Sequence, residues 1–386
     1  MEMKKKICAI TGSRSEYGIL RPILFEIENH CELELSLIVT GMHLSEQYGY
    51  TIEGIRKDGF VIDAIVEMTL DSSSGSSMAK STGLGIIGIS QAFQQIKPDI
   101  ILIVGDRCEV LAASIAAIYM NIPIAHIHGG DKSIGGHADD SIRHAISKIS
   151  HIHFAVSKES QERLLKLGEE SFRTFCVGSP VLDTIKNMDF LSKNEIFIKF
   201  GLNPKEKMIL AVQHPITKES NESGEQLTNT LNALKKTNIQ TILVYPNSDM
   251  GSKEMIKVIR EFEKFDFLKT FKNINQKDFL NLMKYSNLYI GNSSSALIES
   301  PFFGIPVVEI GNRQKGRERA ENVLSSEYSE DDILDKINKS LYDVKYIQKC
   351  RNCNNPYGKG QTSEIIASVL AEIEVNDKLM TKEITY

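Results

Sequence analysis

Short apolar runs, each closed by a polar cluster and followed by an amphipathic stretch, recur along this chain. Lys6–Ile10, Leu33–Val39, Phe60–Glu67, Ile100–Val104, Ile122–Ala125, His151–Val156 and Phe172–Val177 read as strands. The central runs are short and rich in branched aliphatics, as expected of parallel strands covered on both faces. Between the runs, apolar residues fall at helical spacing. Ile19, Leu20, Ile23, Leu24 and Ile27 follow a cap at Ser15, and longer helices are expected over Met78–Ile96 and Lys158–Gly168. The serine- and glycine-rich stretch Asp71–Ser77 reads as a solvated loop. Gly178-Ser179-Pro180 marks a joint. Beyond a helical spacer the alternation restarts, with strands at Met208–Gln213, Ile239–Val244, Leu288–Ile290 and Ile305–Ile310. The pattern predicts an α/β protein of two doubly wound, Rossmann-like domains whose parallel sheets face a central cleft. The domains are expected at 1–178 and 179–362, with a final helix and tail, 363–386, able to cross back to the first.

The chemistry gathers where the runs stop. Gly105-Asp106-Arg107-Cys108-Glu109 follows one strand, and His126-Ile127-His128-Gly129-Gly130-Asp131 follows the next. Asp139-Asp140-Ser141-Ile142-Arg143-His144 then opens a helix. Ligands of open α/β sheets bind beyond the carboxyl ends of the strands, so acids, bases and imidazoles from three consecutive connections converge as in an active site. Arg14, at the start of the first helix, stands where a phosphate or sugar hydroxyl would meet a helix N-terminus. A surface arginine capping its loop is an equal reading. In the second half, Gly291-Asn292-Ser293-Ser294-Ser295 joins a strand to a helix, and its hydroxyls and free backbone N–H groups would hold a diphosphate. Glu299, about a turn further on, could accept hydrogen bonds from ribose hydroxyls. A single serine cap beside a solvated Glu299 is the plainer alternative. Arg313 follows the strand at Ile305–Ile310 and could clamp phosphate. His214 ends the first strand of this half and so faces the cleft.

Composition narrows the classes. A net charge of −5 and a pI near 6.0 leave no basic footprint for nucleic acid, so an anionic ligand must be met by local cations. Six scattered cysteines fit reduced thiols in a cytoplasmic protein. The lone pair Cys350 and Cys353 lacks the second pair that a structural metal site would need. No apolar run has the length of a membrane span, and the start MEMKKKICAITGS is too short in its apolar part for a signal peptide. The turn Thr11-Gly12-Ser13-Arg14 is not G-x-G-x-x-G, so no dinucleotide fingerprint is visible.

Taken together, TGSRSEYG (11–18), VTGMHLS (39–45), GDRCE (105–109), HIHGGDKS (126–133), DDSIRHAISKISHIHF (139–154), GNSSSALIESP (291–301) and GNRQKGRERAENV (311–323) resemble the hydrolysing UDP-N-acetylglucosamine 2-epimerases, the NeuC-type branch that feeds sialic acid synthesis. The motifs stand in that family's order and span nearly the whole chain. The resemblance implies a GT-B-like arrangement of two Rossmann-like domains, no NAD, no essential metal, a nucleotide-sugar substrate and a homodimer. It also implies a reaction: UDP leaves sugar C1 as the C2 proton is removed, and water adds to the 2-acetamidoglucal to give N-acetylmannosamine. By the same correspondence Asp106 and Asp139 are acid/base or cation-stabilising carboxylates. Arg107 and Arg143 position the substrate, with His126 beside them. His214 meets the leaving phosphate or sugar, and Ser293, Ser294, Ser295, Glu299 and Arg313 hold UDP with Arg14. The wider family has a glutamate where this chain has His128. Either His128 serves as base, or Asp131 supplies the missing carboxylate, or His128 is a hydrogen-bonded filler. His126 and His128, two apart, are expected on one strand face.

Four other readings compete. The same chemistry could act on a UDP- or GDP-linked 2,4-diacetamido-2,4,6-trideoxyglucose of the legionaminic acid route, or a non-hydrolysing epimerase could return UDP to the glycal. A GT-B glycosyltransferase would share the nucleotide half but would not need the acids and imidazoles of 106–144. A nucleotide-sugar sensor has no use for so many carboxylates around an anion.

Overall fold

The computed structural model describes residues 4–46, 49–70, 74–132, 137–247 and 249–386, with 137 and 138 by backbone alone. By its contacts the chain divides into two compact units. One holds residues 4–132, 137–184 and 357–386, the other 185–356.

The first unit is built on seven strands: β1 (Lys5–Thr11), β2 (Leu33–Thr40), β3 (Ala64–Val66), β4 (Ile100–Val104), β5 (Ile124–Ile127), β6 (Ile152–Ala155) and β7 (Thr174–Cys176). All pair in parallel, in the order β3-β2-β1-β4-β5-β6-β7. Every residue of β4 and β5 is buried, because apolar layers cover both faces. One layer is formed by the helices Arg14–Asn29 and Thr362–Glu372, the other by Gly75–Ile96 and Cys108–Tyr119. The second unit repeats the plan with β8 (Met208–Val212), β9 (Gln240–Val244), β10 (Leu268–Phe271), β11 (Leu288–Gly291), β12 (Val307–Ile310) and β13 (Val323–Ser326), ordered β10-β9-β8-β11-β12-β13. Both units are therefore doubly wound, and in each the strand order reverses between its first and fourth strands. Those two points, β1/β4 and β8/β11, are where such folds bind ligands.

Several elements differ from expectation. β10 and β13 were not foreseen; both are four-residue strands on the sheet margins, where half-exposed positions carry little apolar signal. The third strand shrinks from Phe60–Glu67 to Ala64–Val66, also a margin. β5 begins later and runs on through His126, whose fully buried imidazole hid the strand's end from an apolar pattern. The first helix is capped by Ser13, not Ser15: Ser13 keeps an extended backbone and its hydroxyl accepts the Glu16 N–H, while Ser15 already lies in the first turn. Of the loop expected at 71–77, residues 71–73 lie outside the described residues, and Gly75 already starts a helix capped by Ser74.

The C-terminal segment packs into the first unit for electrostatic as well as apolar reasons. Asp183 accepts the first N–H groups of the helix Thr362–Glu372 at 3.1 and 2.5 Å, an acid at a helix N-terminus. Lys5 donates to carbonyls of Leu370 and Ala371 at its other end, at 2.9 and 2.7 Å. The fully buried Arg173 donates to the carbonyls of Leu379 (2.7 Å), Lys378 (3.0 Å) and Thr381 (2.8 Å). Lys382 donates to the carbonyls of Ser147 and Lys148, at the C-terminal end of the helix His137–Ile149. Among the described residues, no helix is long and apolar enough to cross a membrane.

Candidate active site

In the first unit, the polar residues beyond β1, β4 and β5 form two neighbouring clusters. The first is centred on Arg143, which the helix His137–Ile149 holds almost buried. Its guanidinium donates to the carboxylate of Asp106, to Asp140 (2.7 Å) and to the backbone carbonyl of Asp131 (2.9 Å). Asp106 directly follows Gly105, whose φ of 79° turns the chain off β4. Asp139, on the exposed side of the same helix, is raised above the usual carboxylate range. Partial burial is the largest cause and the Asp106 charge the next, with Arg143 opposing. A carboxyl whose affinity for a proton is raised by burial and a neighbouring carboxylate is suited to proton transfer.

His128 joins this cluster through Asp131. Its Nδ1 is 2.9 Å from Asp131 Oδ2, and Asp131 Oδ1 accepts the Ser160 hydroxyl at 2.7 Å. His126 does something else. It is fully buried, its Nε2 donates to the Gly105 carbonyl at 2.7 Å, and its Nδ1 is 3.3 Å from the Ser147 hydroxyl. Burial drops its pKa to about 3, so it is neutral and supports the Asp106 turn. The two imidazoles do not share a face, because the strand's period of two ends at Ile127 and His128 has a φ of 67°.

The second cluster was not foreseen. Arg107, expected to meet substrate, is gripped by its neighbour Glu109 at 2.9 and 3.2 Å and lies 3.6 Å from Glu16. Gly12 and Gly41 leave the room Glu109 occupies; a Cβ on either would come within 2.6 Å of its side chain. Glu16 is buried, accepts the Gly12 N–H at 2.8 Å, and is pushed up to about 7 by burial and then by Glu109, against Arg107. His43 lies buried between the hydroxyls of Thr11 (3.0 Å) and Thr51 (2.6 Å), lowered to about 4 by burial. In the sequence, Glu16 and Glu109 look like ordinary acids in the first turns of helices; only the β1/β4 pairing brings them together. Arg14 is exposed and has no ion pair among the described residues.

The second unit's groups gather at β8/β11. Gly291 has a φ of 134°, and a Cβ there would sit 1.9 Å from the Val212 carbonyl oxygen, so only glycine fits. The next residue, Asn292, locks the end of β8: its Oδ1 accepts the His214 N–H (2.7 Å) and its Nδ2 donates to the His214 carbonyl (2.9 Å). His214 Nδ1 accepts the Asn247 N–H at 3.1 Å, so the ring hydrogen is on Nε2. Burial and the nearby Arg313 lower its pKa to about 4, leaving a neutral N–H donor at physiological pH. Arg313 donates to the Asn292 carbonyl at 3.3 Å and lies 3.9 Å from Asp249. Ser293 and Ser295 are linked at 3.1 Å, and Ser295 pairs with the Tyr289 hydroxyl at 2.8 Å. Ser294 is the N-cap residue of the short helix Ser295–Ile298, with no side-chain cap bond. Glu299 sits at the break before the helix Ser300–Phe303, pushed up to about 7 by burial alone. Among the described residues, no cluster of histidines, cysteines and acids is arranged to hold a metal ion.

Two doubly wound parallel units, each with polar groups at its switch point, make this a GT-B-like α/β protein. The crystal structure of UDP-GlcNAc 2-epimerase from Neisseria meningitidis bound to UDP-GlcNAc has the same fold, with a TM-score of 0.80 at 20% identity over 95% of this chain and 100% of that one. The chain belongs to the UDP-N-acetylglucosamine 2-epimerase family, whose model matches residues 25–371. It is 37% identical to a hydrolysing UDP-N,N'-diacetylbacillosamine 2-epimerase of Legionella pneumophila, over 98% of this chain and 99% of the relative. It is 33% identical to a UDP-N-acetylglucosamine 2-epimerase of Neisseria meningitidis serogroup B, over 87% of each.

Proposed function

We propose that this enzyme removes UDP from a UDP-linked 2-acetamido sugar and inverts C2 in the same turnover, releasing UDP and the free sugar. A C2 hydrogen beside an intact glycosyl phosphate is not acidic, so the C1–O bond must largely break first. An oxocarbenium-like centre then develops and needs negative charge beside it. The observation that carries this reading is the gathering of the Asp106 and Asp140 carboxylates around Arg143, with Asp139 in their field. A site that only bound an anion would gain nothing from such acids, whereas a site that stabilises a cation and moves a proton needs them. In this scheme Asp106 faces the developing cation, Asp139 exchanges a proton, and Arg143 fixes Asp106. The neutral Nε2–H of His214, the Ser293–Ser295 hydroxyls and Arg313 hold the departing diphosphate, while Glu299 takes the ribose. Hydration of the glycal completes the reaction without a redox cofactor.

For the sugar, the end-to-end similarity to the Legionella relative puts the 2,4-diacetamido-2,4,6-trideoxy sugar ahead of N-acetylglucosamine. UDP-N-acetylglucosamine is the second reading, favoured by the Neisseria relative. Incubated without any acceptor, the enzyme is expected to release one UDP per C2-inverted sugar. Its kcat/KM should favour the diacetamido substrate by about tenfold or more, as a site built to bond an extra amide would. A reversed ratio would restore N-acetylglucosamine to first place. UDP release from neither would remove the epimerase reading.

A further inference from the structure

We propose that His128 is the base that takes the C2 proton, and that Asp131 and Ser160 are positioning residues that fix its tautomer. This rests on the reaction proposed above and decides between bases that the sequence left open. His128 is a non-glycine residue in the left-handed region, a conformation that costs roughly 1 kcal/mol or more and persists only where its surroundings enforce it. The surroundings are tight. Gly130, two residues on, packs so closely on the helix Lys158–Lys166 that a Cβ would lie 2.2 Å from the Ser160 carbonyl oxygen. Asp131 is held by the Ser160 hydroxyl on one carboxylate oxygen and by Arg143 on its backbone carbonyl.

That arrangement sets the hydrogen on the imidazole. An ionised carboxylate only accepts, so the 2.9 Å contact with Asp131 Oδ2 places the ring hydrogen on Nδ1 and leaves the lone pair on Nε2. Nε2 is buried and has no hydrogen-bond partner among the described residues. A buried acceptor left open is rare in a folded protein, and it is what a base awaiting its proton presents. Asp131, by contrast, already accepts from His128 and Ser160. The other imidazoles of this unit differ. His126 and His43 use both ring nitrogens on the protein. His153 also leaves a buried nitrogen, Nδ1, without a partner among the described residues, but it lies mid-strand in β6 with no exposed surface, and its Nε2 pairs at 2.8 Å with Glu169, whose carboxylate Lys148 and Lys382 share.

In the step itself, Nε2 takes the C2 proton and the C2–H electron pair becomes the C1=C2 bond. The C1–O pair leaves with UDP, and the new imidazolium stands against the Asp131 carboxylate. Inversion at C2 requires the returning proton to come from a second acid on the opposite face, the part Asp139 plays.

The test is a double-mutant cycle on the full chain. His128→Gln and Asp131→Asn should each lower kcat by about a thousandfold or more, since an asparagine would present its N–H to Nδ1 and move the ring hydrogen to Nε2. Acting as one unit, the pair should be non-additive, with the double variant no more than about threefold below the worse single one. UDP affinity, which reports folding of the second unit, and the circular dichroism spectrum should be unchanged. Ser160→Ala should cost about tenfold in kcat, the loss of roughly one hydrogen bond, with KM unaltered. Added imidazole should restore part of the activity of His128→Ala. If His128→Gln keeps more than about a tenth of kcat while Asp131→Asn does not, Asp131 is the base and the proposal fails. Single effects that multiply would also overturn it. Both failures leave the reaction standing if the unaltered enzyme releases UDP with exchange at C2. If the unaltered enzyme does neither, the reaction and the relay fall together.

Discussion

Asp106→Asn is expected to lower kcat by about a thousandfold or more while UDP binds within about twofold of the unaltered enzyme. The substitution preserves shape, and Arg143 keeps its bonds to Asp140 and to the Asp131 carbonyl. What it removes is the negative charge nearest the Gly105 turn, at the carboxyl end of β4, where a cation at C1 would develop. A preorganised charge that acts only in the transition state is worth about two to three powers of ten in rate, and more when it also takes part in proton transfer. His214, Ser293, Ser295, Glu299 and Arg313, assigned to UDP, lie in the other unit beyond the ends of β8, β11 and β12 and are untouched by the change. Steady-state kinetics with titration calorimetry of UDP would measure both quantities. An equal loss of turnover and UDP affinity would take Asp106 out of the chemistry.

A second large effect is expected on stability. The Glu16 carboxyl, ordinarily near 4.5, sits at about 7 in the folded chain, mainly because burial disfavours its charge and secondarily because Glu109 is close. Between those two values the folded protein retains a proton that the unfolded chain has released. Stability therefore falls as pH rises from 4.5 through 7, by roughly 3 kcal/mol in all. Glutamine keeps an acceptor for the Gly12 N–H and cannot ionise. Urea unfolding of Glu16→Gln at pH 5 and pH 8 should show a loss over that interval smaller than in the unaltered chain by about that amount. His43 and His126, lowered by burial, push the other way over their own range, since a folded state with neutral histidines gains stability as pH rises through it. They act equally in both proteins and cancel in the comparison. Identical pH slopes would mean that Glu16 is not a buried, half-protonated acid.

What could be read from the chain follows from how locally each feature is determined. Fully covered strands such as Ile100–Val104 and Met208–Val212 declare themselves by continuous apolar runs, and the polar clusters that follow them are visible for the same reason. The margin strands β10 and β13 are half-covered and left no such mark. His126 and His128 look alike in the sequence, yet one is a strand residue tied to Gly105 and Ser147 and the other a left-handed turn residue tied to Asp131. That division depends on a backbone sign that no residue type announces. Arg107 stood out as a cation beside Asp106, but it is held by its neighbour Glu109 and lies near Glu16, which strand pairing brings in from some ninety residues away, something periodicity does not encode. Asn292 passed unnoticed beside three serines, although it is the side chain that fixes His214.

In the proposed reaction C2 loses and regains a proton as UDP departs. Proton NMR of the purified enzyme with its UDP-linked 2-acetamido sugar in D2O tests this directly, with no metal, NAD or acceptor added. Free UDP is expected and, in equal amount, a C2-inverted sugar carrying deuterium at C2. UDP release with hydrogen retained at C2, or with the original configuration there, would contradict it.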